Sequence, residues 1–263
     1  MSSKSIESAQ VAEVIYNARR NGTPVPPVSQ TYGVTDAGIA YGIQDINTKR
    51  WVSEGRRIVG RKIGLTSKAV QAQLGVSEPD YGMLWGDLAY GDGDIVPMSK
   101  FMQPRVEAEI AFVMDRAVMS PDVTLTELIS AVGYALPSVE IVDSAIADWK
   151  ITLADTIADN ASAGGFALGT SPRKVTDVDL KLAGMLLTKN GAHVSLGVGA
   201  ACLGHPLIAT LWLARIMAKV GRPLEAGDIV LSGALGPMVS AVAGDRFSVE
   251  IQGFSPFSIE FGA

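Results

Sequence analysis

Apolar positions divide the chain into a helical beginning and a strand-rich remainder. Between residues 6 and 20 they recur at helical spacing, and Asn21-Gly22 follows as a typical helix end. A second amphipathic helix is predicted at about residues 35–54. The pattern therefore predicts a helical N-terminal region at residues 1–57 and a second domain at residues 58–263.

Beyond residue 57, short apolar runs separated by Gly, Pro and Asp predict strands. Asn190-Gly191, between two of these runs, predicts a tight hairpin turn. Two helices interrupt the strands, one after the capping-box pair Thr124 and Glu127 and one from Pro206 to Gly221. Because strand and helix do not alternate regularly, the pattern favours an α+β fold over a doubly wound sheet. The predicted strands are residues 58–65, 105–114, 136–142, 185–189, 193–196, 229–232, 246–251 and 257–261.

Composition excludes several classes of protein. Hydrophobic residues make up 48% of the 263 positions, enough for a large core, and the net charge of −5 argues against a nucleic-acid or anionic-membrane partner. No run is expected to reach the ~20 apolar residues that span a bilayer, and the first residues lack the apolar core of a signal peptide. Cys202 is the only cysteine, which favours a reducing compartment. We therefore expect a cytoplasmic protein without a membrane partner.

Two glutamates lie two positions apart in the predicted strand at residues 105–114. Because side chains alternate along a strand, Glu107 and Glu109 share one face and lie roughly 7 Å apart. The strand is apolar on both faces further along, so the two carboxylates would enter an environment where a cation or protons must neutralise them. A strand end with a solvated glutamate face explains this segment equally well.

A third glutamate favours the cation-binding interpretation over the solvated glutamate face. Glu140 lies inside an apolar predicted strand, where an unpaired glutamate is rare. Three carboxylates without a nearby Cys or His suit Mg²⁺ or Mn²⁺ better than zinc, and substrate oxygens usually complete the shell of such an ion. Asp143, at the end of the same strand, is expected to be an end cap, with a supporting contact to the metal site as the alternative.

Glycines flank a lysine in the first predicted strand. Gly60, Lys62 and Gly64 share one face, and glycines in a strand cost stability unless a ligand or a backbone approaches closely. An exposed basic strand with glycines at bulges explains this segment slightly better. Asp80 lies in a segment whose Pro79 and Gly82 predict a turn.

Residues 155–165 are rich in small polar residues and predict a loop that could line a site. Ser162 lies there, but the chain has no Gly-x-Ser-x-Gly motif, which argues against a Ser-His-Asp hydrolase. His193 is expected to be exposed, and His205 to pack or cap at a helix start. Acid–base chemistry therefore falls to Lys, Asp and Glu side chains.

These segments resemble the 2-hydroxypenta-2,4-dienoate (2-oxopent-4-enoate) hydratases of the fumarylacetoacetate hydrolase superfamily, over nearly the whole chain. The resemblance implies an α+β fold of rolled, layered mixed β-sheets behind a small helical N-terminal region, with residues 58–263 as the catalytic domain. It also implies a ring-like homo-oligomer, for which a pentamer-based assembly is one arrangement, and a role in meta-cleavage degradation of aromatic compounds. The matching segments are residues 60–67, 73–76, 79–82, 103–109, 137–144, 155–162, 203–206 and 231–237.

The resemblance also implies an activity and a site. The activity is that of a hydro-lyase, which adds water to a 2-oxo/2-hydroxy-alkenoate and gives 4-hydroxy-2-oxopentanoate. The residues that match metal ligands for Mg²⁺ or Mn²⁺ are Glu107, Glu109 and Glu140. The residues that match the remaining active-site positions are Lys62, Asp80 and Ser162.

Each of these last three side chains has a hypothesised role. Lys62 would donate to the enolate or carboxylate of the substrate, Asp80 would transfer a proton or orient water, and Ser162 would serve in positioning. The segment Phe254-Ser-Pro256 departs from the usual Gly-Ser pair of the family, and we expect it to affect a subunit contact more than the chemistry.

Three rival functions share the same scaffold. One is decarboxylation of 2-oxo-3-hexenedioate (4-oxalocrotonate), and another is hydrolysis of a carbon–carbon bond in acylpyruvates. The third is a non-catalytic subunit that associates with a pathway aldolase or decarboxylase, which the intact set of polar residues argues against. In the decarboxylases that the chain resembles, an apolar residue stands where this sequence has Asp80, so a carboxylate there favours the hydratase.

Overall fold

The computed structural model describes residues 3–68, 71–72 and 76–263, so Gln73-Leu-Gly of the family-like segments lies outside the described residues. Helices and strands follow one another in the order of an α+β protein. The α-helices of the described part are α1 (Ser3–Asn21), α2 (Val28–Thr31), α3 (Ala37–Ser53), α4 (Leu125–Ala131), α5 (Leu153–Ala158) and α6 (Pro206–Lys219). The strands are β1 (Ile58–Gly64), β2 (Asp80–Trp85), β3 (Ala89–Gly91), β4 (Ile95–Pro97), β5 (Arg105–Met114), β6 (Val132–Val142), β7 (Ala163–Leu168), β8 (Gly184–Lys189), β9 (Ala192–Val198), β10 (Ile229–Leu231), β11 (Val239–Ser240), β12 (Arg246–Ile251) and β13 (Phe257–Gly262).

The predicted helix ends follow from capping. Gly22 takes the left-handed φ of +63° that stops α1. The Asp36 carboxylate accepts a hydrogen bond from the Ile39 N–H at 2.9 Å and starts α3 slightly later than the apolar pattern predicts. The capping box of Thr124 and Glu127 forms in front of α4, as predicted. The three N-terminal helices then bury a satellite apolar cluster together with α5.

Two sheets form the body of the molecule. In the larger one the strand order is β2-β1-β10-β5-β6-β7-β3, with β11 also paired to β5, and in the smaller one it is β4-β13-β12-β8-β9. Parallel pairs (β1 with β10, β3 with β7, β4 with β13) occur beside antiparallel ones. Ile110 and Phe112 of β5 contribute to the main core together with Phe247 and Phe261 of the smaller sheet. The predicted layered, mixed α+β fold is confirmed.

Two local predictions are wrong. The predicted turn at residues 78–82 has a bend at Glu78, but from Asp80 onward it is instead the start of β2, whose six residues are all buried. Gly82 marks close packing, because a Cβ there would lie 2.1 Å from the backbone oxygen of Asn160. The predicted loop at residues 155–165 contains most of α5, a 3-10 turn and the start of β7. A capping box that begins at Thr152, upstream of that segment, starts α5.

One segment, Gly199–Lys219, has the length and apolar composition of a membrane-crossing helix, which corrects the expectation that no such run exists. Within it, α6 starts after His205, whose Nδ1 accepts a hydrogen bond from the Leu207 N–H at 3.1 Å. Leu213 and Met217 are fully buried in the main core. The segment is therefore packed as a core helix, and the capping role expected for His205 is confirmed. His193 is exposed on β9, as expected.

Two glycine substitutions should change stability in opposite directions. Gly82→Ala should lower the free energy of unfolding by about 1–3 kcal/mol, because its Cβ collides with backbone. Gly42→Ala is the matched control, since that position is exposed in α3 with no atom within 4 Å of the added Cβ. It should raise the free energy by roughly 0.5–1 kcal/mol. Urea denaturation followed by tryptophan fluorescence measures both, and equal stability of Gly82→Ala and the parent would contradict this account of β2.

Candidate metal centre and active site

Two neighbouring strands bring three glutamates together. Glu107 of β5 lies opposite Glu140 of β6, and Glu109 lies opposite Ser138. Carboxylate oxygens of the three glutamates lie within 4.8 Å of one another. Glu109 and Glu140 are buried and Glu107 is partly buried, because the face they share continues into an apolar cluster around Ala111. The solvated glutamate face, the alternative for this strand, does not occur.

The cluster holds more negative charge than its neighbours compensate. Lys62 Nζ lies 3.0 Å from Glu140 Oε1, and the Gly233 N–H donates to Glu109 Oε2 at 2.8 Å. Apart from that ion pair, Glu109 Oε1 and both oxygens of Glu140 accept no hydrogen bond from the described residues. Buried carboxylate oxygens without donors are the ligands that a hard divalent cation takes. The three glutamates therefore fit Mg²⁺ or a similar ion.

Burial changes the proton affinity of these groups. It raises the pKa of Glu107 to about 7 and that of Glu109 well above its usual range, and the charge of Glu140 adds to both shifts. Burial alone would lower the pKa of Lys62, but the charges of Glu140, Asp80 and Glu107 together outweigh it and raise that pKa. Lys62 therefore stays protonated, while protons and a cation compete for the glutamates.

The glycines of β1 allow close approach. A Cβ at Gly60 would lie 2.0 Å from the backbone oxygen of Ile229 on β10. A Cβ at Gly64 would lie 2.1 Å from Asp80 Oδ1 and 3.2 Å from Lys62 Nζ. Only a glycine therefore leaves room for this carboxylate and ammonium beside the strand. Lys62 is 3% exposed, so the exposed basic strand that the sequence slightly favours is wrong.

Ser162 is connected to Asp80 through a residue that sequence reasoning missed. The Thr156 hydroxyl lies near enough to Asp80 to lower the pKa of that carboxyl, and it lies 3.3 Å from Ser162 Oγ. Burial is the largest cause that raises the pKa of Asp80, while Lys62 and Thr156 lower it. Thr156 lies in the family-like segment at residues 155–162, but nothing in that segment singles it out, and its role follows only from the position of α5 above β2. The structure thus gathers the six predicted site residues and adds Thr156.

The backbone around Ser162 is strained. Asn160, Ala161 and Ser162 have φ of 57°, 52° and 52°, the left-handed region that residues with a Cβ rarely adopt. The Asn160 side chain holds this turn against β2, since its Oδ1 accepts from the Met83 N–H at 2.7 Å and its Nδ2 donates to the Met83 carbonyl at 3.0 Å. Strain that the surroundings maintain in this way is typical of functional turns.

Asp143 lies outside the glutamate cluster. Its Oδ1 accepts hydrogen bonds from the N–H groups of Met102 and Gln103, and its Oδ2 accepts one from Arg19. It therefore caps the end of the strand, as expected. A cleft of about 490 Å³ borders Asp143 and Arg19 but not the glutamates. We assign the chemistry to the glutamates because uncompensated buried charge distinguishes them, whereas a cleft by itself shows only space.

Residues 56–260 match the fumarylacetoacetate (FAA) hydrolase C-terminal family. The chain belongs to the fumarylacetoacetate hydrolase family. Its relatives include 2-keto-4-pentenoate hydratase 1 of Dechloromonas aromatica, 50% identical over 262 residues that cover 99% of this chain and all of that protein. The TodF product hydratase of Pseudomonas putida F1 is 51% identical over 252 residues, 96% of this chain and 94% of that protein.

One solved structure is similar to the chain throughout. It is the 4-oxalocrotonate decarboxylase of Pseudomonas putida G7, complexed with magnesium and adipate, with a TM-score of 0.93, 35% identity and 99% of each chain covered. The family membership expected from the sequence is confirmed. A divalent cation bound to that decarboxylase accords with the acidic cluster of this fumarylacetoacetate hydrolase family member.

The stabilisation that Mg²⁺ gives should depend on pH. The raised pKa values mean that the metal-free glutamates favour folding below their unfolded pKa of about 4.3, and that this contribution is lost as pH rises through about 7 for Glu107. Mg²⁺ binds the charged forms and offsets that loss. The increase in melting temperature on adding Mg²⁺ should therefore grow from pH 5.5 to pH 8 in a thermal-shift measurement.

Two variants make this prediction specific. Glu140→Gln should lose most of the Mg²⁺-dependent increase, whereas Glu250→Gln, at an exposed position of β12, should keep all of it. An increase that is independent of pH, or that survives in Glu140→Gln, would show that the cation binds elsewhere.

Proposed function

We propose that this chain is a metal-dependent hydratase that adds water to 2-hydroxypenta-2,4-dienoate (2-oxopent-4-enoate) and forms 4-hydroxy-2-oxopentanoate. The observation that carries the proposal is the buried Asp80 carboxyl beside Lys62 and the three glutamates. Relatives named as hydratases, about half identical over nearly the whole chain, support it.

The cation, Mg²⁺ or Mn²⁺, would be held by Glu107, Glu109 and Glu140. When bound it supplies Lewis-acid stabilisation of negative charge on the oxygens of a 2-oxo acid. Oxygen ligands from three carboxylates, with Lys62 as the neighbouring positive charge, favour these ions over zinc.

The side chains of the chain itself move the protons. Lys62 stays protonated and donates hydrogen bonds to the substrate carboxylate or its C2 oxygen. The dienol loses the proton of its C2 hydroxyl and gains one at C5, which gives the conjugated 2-oxo-3-enoate. The oxygen of a water then adds at C4, and C3 is protonated, so one water is consumed per product. Asp80, whose pKa lies above its usual range, takes a proton from the attacking water and can return it to carbon. Ser162 and Thr156 orient the water and Asp80.

Decarboxylation of 2-oxo-3-hexenedioate is the second candidate, because the similar solved structure is that of a 4-oxalocrotonate decarboxylase. Loss of CO₂ needs an electron sink but no activated water. A carboxylate at Asp80 would repel the second carboxylate of a hexenedioate near it. Asp80 therefore favours the hydratase.

We further propose that the chain forms a homo-oligomer, is cytoplasmic and acts in aromatic degradation, where it associates with a pathway aldolase or decarboxylase. We also propose that residues 1–57 form a helical N-terminal region and residues 58–263 the catalytic domain. Ile95, Leu182 and Leu196 are more than 60% exposed, which supports subunit contacts.

Hydration should exceed decarboxylation in the purified protein. With Mg²⁺, the dienol absorbance of 2-hydroxypenta-2,4-dienoate should disappear, and mass spectrometry should identify 4-hydroxy-2-oxopentanoate. EDTA should abolish the reaction, and Mg²⁺ or Mn²⁺ should restore it. If CO₂ is released from 2-oxo-3-hexenedioate faster than the dienoate is hydrated, the hydratase proposal is wrong.

Asp80→Asn should lower the hydration rate about 10²–10⁴-fold, because it removes a placed proton acceptor but keeps the shape of the side chain. Mg²⁺ binding and the binding of a substrate analogue should change little. Asp122→Asn, at an exposed position before α4, is the matched control and should hydrate at the parent rate. A parent rate in Asp80→Asn would remove Asp80 from the mechanism while leaving the hydratase activity possible.

A further inference from the structure

The N-terminal helix α1 delivers one arginine to two buried aspartates. Arg19 donates from Nη1 to Asp143 Oδ2 at 3.0 Å, and from Nε and Nη2 to the two oxygens of Asp159 at 2.9 and 2.8 Å. Its Nη2 also donates to the Asp143 carbonyl. Both aspartates are 1% exposed, and the Arg19 side chain is 18% exposed. The planar guanidinium thus donates to four acceptor atoms, and lysine cannot reproduce this geometry. We call this set of hydrogen bonds the Arg19 fork.

Both aspartates are bonded to the turn that carries Ser162. The Asp143 N–H donates to the Ser162 carbonyl at 2.8 Å, and the Ser162 N–H donates to the Asp159 carbonyl at 3.0 Å. The Asp159 carboxylate also accepts from the Ala145 N–H at 2.8 Å, two residues beyond Asp143. Arg19 therefore ties together the two segments whose backbones hold Ser162.

The position of Ser162 depends on the hydrogen bonds of Arg19 more than the positions of the glutamates do. Glu140 has a strand partner on each side, Glu107 on β5 and Phe166 on β7, so the sheet fixes its position. The turn before β7, at residues 160–162, is not paired in this way. Its three successive residues have left-handed φ values, which the surrounding contacts must maintain. Asn160 holds one side of the turn to β2, and the Arg19 fork holds the other.

We propose that Arg19 is a positioning residue for the reaction, which acts by fixing Ser162 and makes helix α1 part of the active site. The inference rests on the proposed function, because it requires that Ser162 takes part in hydration. It predicts that weakening the fork slows turnover while the metal site keeps its affinity.

The test is Arg19→Lys, measured well below its melting temperature. We expect kcat for 2-hydroxypenta-2,4-dienoate to fall about tenfold to a hundredfold, the effect of a small misplacement of a site residue. KM and the Mg²⁺ affinity, measured by titration calorimetry, should stay near the parent values. Arg20→Lys is the matched control, on the same helix with a side chain that is 57% exposed, and should have the parent kcat.

A double-mutant cycle with Ser162→Ala separates positioning from general damage. If Arg19 acts through Ser162, Arg19→Lys should cause little further loss of kcat in the Ser162→Ala background. An equal fold-loss in both backgrounds, a parent kcat in Arg19→Lys, or a weakened Mg²⁺ affinity would overturn the inference. Failure of the proposed function is distinct, because the parent chain itself would then not hydrate the dienoate.

Arg19→Lys could leave the two aspartates poorly compensated and the chain unfolded. The triple variant Arg19→Met, Asp143→Asn, Asp159→Asn removes the fork without leaving a buried unpaired charge. Asn at residue 143 keeps the oxygen that accepts from Met102 and Gln103. The triple variant should show the same selective fall in kcat, and a parent kcat in it would overturn the inference.

Discussion

The rest of the site depends on one constraint: three neighbouring carboxylates, two of them buried and one partly buried, are balanced by the single positive charge of Lys62. Placing Glu107, Glu109 and Glu140 in an apolar sheet is unfavourable unless protons or a cation neutralise them. The pairing of β5 with β6 fixes their separation, and β1 contributes Lys62 from the same sheet. The apolar core on the other face of β5 makes this arrangement rigid. A stable sheet therefore maintains a site that would be unstable by itself.

Around this rigid centre the reacting groups lie on two different kinds of backbone. Asp80 starts β2, and Ser162 lies on a left-handed turn that follows α5. Side chains from distant parts of the chain hold these two segments, with Asn160 bonded to β2 and Arg19 bonded to the aspartates around the turn. The site thus combines metal ligands and Asp80, which sheet pairing fixes, with a Ser162 turn that side-chain hydrogen bonds fix. This difference explains why substitutions at the two kinds of position should separate metal binding from turnover.

Sequence reasoning succeeded where local pattern and final structure obey the same rule. The strand at residues 105–114 has the predicted bounds, and its alternation places Glu107 and Glu109 on one face as expected. It failed at residues 78–82, because Pro79 and Gly82 resemble a turn while tertiary packing against Asn160 requires the glycine inside a strand.

The supporting residues could not be predicted in the same way. Arg19 bonds to residues 124 and 140 positions away, and Asn160 bonds to one 77 positions away, so no local spacing reveals either contact. Thr156 lies in a segment whose helix starts at an upstream capping box, and its hydroxyl reaches Asp80 only after α5 packs over β2. Carboxylates in apolar strands are visible in a sequence, whereas the groups that orient them depend on the assembled fold.

The central claim is that the three glutamates form one divalent-cation site. Anomalous diffraction from a crystal of the protein soaked in Mn²⁺ tests it most directly, because manganese scatters anomalously and has the oxygen preference of magnesium. The account predicts one strong anomalous peak in each chain, in contact with carboxylate oxygens of Glu107, Glu109 and Glu140. A strong peak elsewhere together with none among these carboxylates, at a Mn²⁺ concentration that supports turnover, would contradict it.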